Sequence, residues 1–171
     1  KPAVLARFDR LASDAEAALT FVEESGGHGL DRGALVRRAG LDPASADAHV
    51  STLSRQAQVT EIDGRLFTTQ VRGDAETRLL ATLAAFHRTH PTEPGLPRET
   101  LRSGTAERFA PALFEATLAD LARRGVILAG DRVRLSCHQP AASAAETELV
   151  DRVDAALLAA GLTPPDAGAL A

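Results

Sequence analysis

The segment Leu30-Asp31-Arg32-Gly33-Ala34-Leu35 returns 66 residues later as Leu96-Pro97-Arg98-Glu99-Thr100-Leu101, with Leu, Arg and Leu in register. An internal period of this length leaves few architectures open. Each copy must be one supersecondary unit that closes its apolar face within itself or against a neighbour. The correspondence continues downstream: Val50, Leu53 and Arg55 match Leu118, Leu121 and Arg123 at an offset of 68, and Arg65-Leu66 matches Arg132-Val133 at 67. A drift of one residue is what connecting turns tolerate. Pro165-Asp166-Ala167-Gly168-Ala169-Leu170 reads as a third, degenerate copy, 69 residues after the second.

Local signals give each unit the same order of elements. Ser13 with Glu16, and Ser143 with Glu146, have the capping-box spacing that satisfies free N–H groups at a helix start. Behind Ser143, the apolar residues Leu149, Val150, Val153, Leu157 and Ala160 share one helical face, which predicts a helix over about 144–160. The middle unit is expected to open at Asp74, with Leu79, Leu80, Leu83 and Phe86 as its stripe. Asp63-Gly64 inside Val59–Thr69 is a type I′ hairpin signal, because both central residues need positive φ. Val133 and Leu135 alternate with Arg132 and Arg134 after Gly130-Asp131, which marks a second hairpin. Helix, short helix, longer helix and two-stranded hairpin make a winged helix, a helix-turn-helix with a β wing. The expected fold is mainly α with small β-hairpins, in tandem winged-helix modules at 8–70 and 73–137. Residues 138–171 form a linker and the first helix of a truncated third module.

Composition narrows function by exclusion. The 171 residues carry a net charge of −4, 44% hydrophobic and 25% charged residues, and neither Trp nor Tyr. The lone Cys137 rules out an internal disulfide framework and fits a reducing, cytoplasmic setting. No apolar run of about 18 residues is available to span a membrane. Without an initiator Met the chain reads as an internal fragment. Residues 71–140 hold ten basic and eight acidic side chains, the only positive balance along the chain. A polyanion contact is therefore expected on that segment.

Leu83-Ala84-Ala85-Phe86-His87-Arg88-Thr89-His90-Pro91, followed by Pro94-Gly95-Leu96-Pro97-Arg98-Glu99 and Leu101-Arg102, resembles the second winged-helix repeat of the selenocysteine-specific translation elongation factor (SelB) family. Arg132-Val133-Arg134-Leu135 with His138 and Pro140 is similar to the exit from that repeat. Gly33-Ala34-Leu35, Leu41-Asp42-Pro43 and Gly64-Arg65-Leu66-Phe67 resemble the first. The resemblance implies a GTPase body that carries selenocysteinyl-tRNA, using GTP and magnesium, followed by four winged-helix modules on the ribosome. The terminal modules grip the selenocysteine-insertion hairpin of the mRNA, and the first two act mainly as spacer. This chain has no Gly-x-x-x-x-Gly-Lys-Ser/Thr loop and no catalytic constellation, so it is read as a non-enzymatic part with no cofactor of its own. Weak or no direct RNA binding is expected of it. Glu93 departs from the basic or apolar residue expected before Pro-Gly.

Four arginines are the candidate nucleic-acid contacts. Arg123 and Arg124 close the longer helix of the second unit, and Arg132 and Arg134 share a strand face on its wing. The alternative is that cations simply favour helix C-termini and exposed strands. A tandem winged-helix DNA-binding transcription regulator is the competing function, and it requires a basic recognition helix. The first unit's candidate, with Ser45, His49 and Arg55, also carries Asp47. Cys137-His138 and the His87/His90 pair lack the further ligands a metal site needs. Packing or capping is the expected role of the two helix histidines.

Overall fold

A computed structural model describes residues 13–105, 108–140 and 144–160. Helix α1 (Asp14–Ser25) leads through a 3₁₀ turn (Gly26–His28) to strand β1 (Leu30–Asp31), helices α2 (Arg32–Ala39) and α3 (Pro43–Arg55), and strands β2 (Val59–Ile62) and β3 (Arg65–Thr68). The order then repeats as α4 (Thr69–Thr89), β4 (Leu96–Pro97), α5 (Arg98–Ser103), α6 (Pro111–Arg123), β5 (Ile127–Ala129) and β6 (Arg132–Leu135). Helix α7 (Ala144–Ala160) comes last, over the residues its periodicity predicts. The third repeat copy and the Ser143 cap lie outside the described residues. The architecture is the tandem winged helix.

Two features correct the sequence reading. Each wing is a three-stranded antiparallel sheet rather than a lone hairpin, in the orders β1-β3-β2 and β4-β6-β5. The extra strands are two residues long, too short for alternation to announce them. Leu30 pairs with Leu66 and Leu96 with Val133, so the repeat holds at the level of register. The second unit also opens at Thr69 rather than Asp74, leaving no linker after the first wing. Thr68 makes this possible: it ends β3 and also caps α4, its hydroxyl accepting the Val71 N–H at 3.3 Å. The expected boundary at residues 70–73 thus falls inside a helix.

Six equivalent positions, five of them matched in the sequence, supply the two cores. Leu30, Leu35, Val50, Leu53, Val59 and Leu66 are buried in the first unit. Leu96, Leu101, Leu118, Leu121, Ile127 and Val133 are buried in the second. Asp63 and Gly64 take φ values of 48° and 70°, as the turn demands. Ser13 caps α1 by accepting the Glu16 N–H at 3.3 Å, while Glu16 receives the Ser13 hydroxyl proton rather than its N–H.

A third core lies at the junction. Phe67 of β3 is fully buried with Ala75 of α4 and with Phe109, Ala110 and Leu113 at the start of α6. The Ala110 N–H donates to the Gly27 carbonyl at 2.7 Å, and a Cβ on Gly27 would sit 2.0 Å from the Arg108 carbonyl oxygen. Only glycine permits this approach. Helix α7 makes no comparable junction among the described residues: Leu149, Val150, Leu157 and Leu158 are exposed.

Candidate nucleic-acid interface

The four candidate arginines fall into two separate settings. Arg123 pairs with Asp120 at 2.9 Å, and Arg124 bridges Glu76 at 2.7 Å and Asp120 at 3.1 Å. The Glu76 hydrogen bond holds the Arg124 pKa above its ordinary value. On the wing, Arg132 pairs with Glu93 at 2.9 Å and donates to the Gly95 carbonyl at 2.7 Å. Glu93, unexpected before Pro-Gly by sequence, is thus this arginine's counter-ion. Arg134 donates to the His138 carbonyl at 3.2 Å and has no carboxylate partner among the described residues. Three of the four charges are therefore already balanced within the protein, which lowers what a phosphate gains by approaching them.

Arg132 has a structural twin. Arg65, at the equivalent wing position, donates to the carbonyls of His28 at 3.1 Å and Gly29 at 3.4 Å. In both units this arginine ties the wing to the residues that lead into the short first strand.

The recognition helices carry a second repeated device that the apolar pattern could not announce. Arg32 pairs with Asp47 of α3 and with Glu61 at 2.6 Å, and Arg98 pairs with Glu115 of α6. The offsets are those of the core, 66 for the arginines and 68 for the acids, so aligning the charged positions of the two copies would have revealed it. The pairing raises the Arg32 pKa further above its ordinary value and lowers that of Glu61. Both helices that would enter a DNA groove thus carry, at the same position, a carboxylate already paired to an arginine, so neither partner of the pair offers free positive charge to phosphate.

The histidines pack. The His87 ring stacks on His138 with centroids 3.7 Å apart, and its Nε2 accepts the Leu135 N–H at 3.2 Å. That places the imidazole proton on Nδ1, which is buried without a hydrogen-bond partner. Burial, then the charges of His138 and Arg134, lower the His87 pKa from the usual 6.5. His138 Nε2 donates to the Glu93 carbonyl at 2.9 Å, and His90 stacks on Phe86 at 4.6 Å. Cys137 is exposed and free. No cluster of three potential metal ligands occurs among the described residues, nor is any helix among them long and apolar enough to cross a membrane.

The fold defines the class, a tandem of winged helices in which the units share a junction. Within that class, residues 80–135 match the family model described as elongation factor SelB, winged helix, and specifically its second such domain. That segment is therefore similar to a SelB winged helix, and the matched residues run from within α4 to the end of β6. Among solved structures, the mRNA-binding domain of elongation factor SelB from E. coli in complex with SECIS RNA is similar at 12% identity and a TM-score of 0.48. That alignment covers 72% of this chain and 98% of the other. No curated protein matches the chain.

Proposed function

We propose that the two units form a rigid spacer in a selenocysteine-specific translation elongation factor. They would link a GTPase and tRNA-carrying body to the modules that grip the mRNA selenocysteine-insertion hairpin. The observation that carries this reading is the junction core, in which Phe67, Ala75, Phe109, Ala110 and Leu113 are buried between the units. A spacer transmits position only if its parts do not rotate against each other. Apolar burial, a helix that begins where the first wing ends, and the Ala110–Gly27 hydrogen bond all oppose rotation. The match over 80–135 supports the family assignment.

On this reading the first module ends with β3 at Thr68, the second runs from Thr69 to the end of β6 at Leu135, and the residues that follow open a third. GTP and magnesium belong to the GTPase body, and the factor works in the cytoplasm on the ribosome. Direct hairpin binding by these two units is weak, in keeping with the net charge of −4. Of the four candidate arginines, Arg134 keeps the least compensated charge.

The test is a chimera in which these units replace the corresponding modules of a working selenocysteine elongation factor. Selenocysteine insertion at a reporter UGA codon is expected to persist, and to collapse when a flexible Gly-Ser segment is inserted between Thr68 and Thr69. Insertion of selenocysteine that ignores the flexible segment overturns the spacer reading. Submicromolar, sequence-dependent binding of the hairpin by the 171-residue chain would overturn it as well.

A further inference from the structure

The described arginines fall into those with a carboxylate partner and those without one. Seven of those described, Arg32, Arg38, Arg98, Arg102, Arg123, Arg124 and Arg132, are ion-paired to carboxylates. Arg78 and Arg108 are exposed, have no carboxylate partner among the described residues, and line the same groove. That groove lies across the junction. Arg78, Thr77 and Asp74 come from the outward face of α4, His28 from the first unit, and Arg108 with Phe109 from the approach to α6. Asp74, one helical turn from Arg78, would be its natural partner, but its carboxylate accepts the Gln70 side-chain N–H at 2.9 Å.

The walls are fixed before any ligand arrives. The Arg108 and Phe109 N–H groups both donate to the Thr105 carbonyl, at 3.0 and 3.1 Å, and Ala110 is bonded to Gly27. The Gly27 backbone abuts the Arg108 carbonyl. Among the described residues, two arginines, a threonine and a histidine thus line this groove against one aspartate. A planar guanidinium fork with no protein counter-ion is matched by the paired oxygens of a phosphate.

We propose that this groove binds the phosphodiester backbone of an RNA strand, with Arg78 and Arg108 each contacting a phosphate and no base being read. The choice of RNA rests on the spacer function in a selenocysteine elongation factor; the choice of phosphate rests on the groove. A backbone contact here touches both units at once, so it would brace the junction against rotation. It is sequence-independent and weak, since two phosphate contacts contribute only a small electrostatic term.

The experiment is fluorescence anisotropy of a labelled ten-nucleotide oligo-uridine against the 171-residue chain over a range of salt. Amide NMR shifts would locate the contact. The expected shifts centre on residues 27–28, 74–81 and 108–110. With Arg78→Gln and Arg108→Gln together, affinity at low salt should fall at least about tenfold. The log–log salt slope should lessen by about 1.4, since each single-strand phosphate contact contributes roughly 0.7. Arg123→Gln with Arg132→Gln should leave the slope unchanged, because their charges are already balanced. The deoxy oligomer should bind within a few-fold of the RNA, as expected for contacts to phosphate alone. An unchanged slope in the Arg78/Arg108 variant overturns the proposal. So does hexaglutamate competing as well as the RNA, which would mark the groove as a site for an acidic peptide. Neither result bears on the spacer test, which reads codon insertion rather than phosphate binding.

Discussion

The last strand of the first wing carries Phe67 one residue before its end, and that of the second, 67 positions later, carries Arg134. Phe67 is fully buried against α4 and the start of α6, whereas Arg134 reaches the His138 carbonyl. The two units share six core positions and their sheet register, so the fold itself does not require the difference. Its source is the stretch of chain that leaves each wing. Helix α4 starts at once from Thr68 and brings the second unit onto Phe67, while eight residues separate β6 from α7. One wing is an internal joint and the other a polar rim.

Helix capping differs for the same reason. Asp42 caps α3 by accepting the Ala44 and Ser45 N–H groups, both at 3.0 Å, with Pro43 in the first turn. The equivalent pair in the second unit is Ala110-Pro111, and α6 has no side-chain cap. Ala110 is buried at the junction, where a carboxylate would be desolvated. The hydrogen bonds it receives hold the Asp42 carboxyl below its ordinary pKa.

Four measurements test the contrast between joint and rim. The largest effect is expected from Phe67→Ala, which should cost about 3–5 kcal/mol in denaturant unfolding. Arg134→Ala, its repeat equivalent, should cost under about 1 kcal/mol. Equal losses would erase the distinction between joint and rim. Next, Ala110→Asp installs the missing cap at a buried site and should destabilise by about 1–3 kcal/mol. Asp42→Ala in the exposed first-unit cap should cost about 1 kcal/mol. A gain from Ala110→Asp would mean that the junction leaves that position open to water.

Third, the second unit should weaken in acid. The folded pKa of His87 is depressed, so the unfolded chain binds more protons as pH falls through the ordinary value of 6.5. Stability is full above that value and declines below it, toward the folded pKa. His87→Gln keeps an acceptor for the Leu135 N–H without titrating, so its melting temperature should vary less between pH 7 and pH 5 than that of the parent chain. An identical pH response would remove His87 as the cause. The smallest effects belong to the repeated Arg32–Asp47 and Arg98–Glu115 pairs, whose side chains are 41% and 63% exposed in the first and 43% and 45% in the second. Double-mutant cycles should give about 0.2–1 kcal/mol for each. A large difference between the two would contradict their equivalence.

The sequence alone determined the repeat, the winged-helix order of each unit, the Asp63-Gly64 turn and the span of α7. All of these rest on local chemistry: apolar periodicity, turn residues that tolerate positive φ, and recurrence of Leu30, Leu35 and Leu53 as Leu96, Leu101 and Leu121. The family resemblance was legible too, in the His90–Arg98 stretch. Two-residue strands left no trace, because β1 and β4 are defined by partners more than 30 residues away. Only the tertiary structure decided that Thr68 both ends a strand and starts a helix, that Phe67 is a joint, and that three of four candidate arginines are already paired. It also decided that Arg78 and Arg108, 30 positions apart in an ordinary charge pattern, face one groove. Charge along a chain is additive and readable, but whether a charge is available depends on which carboxylate lies within about 4 Å, and only packing sets that distance.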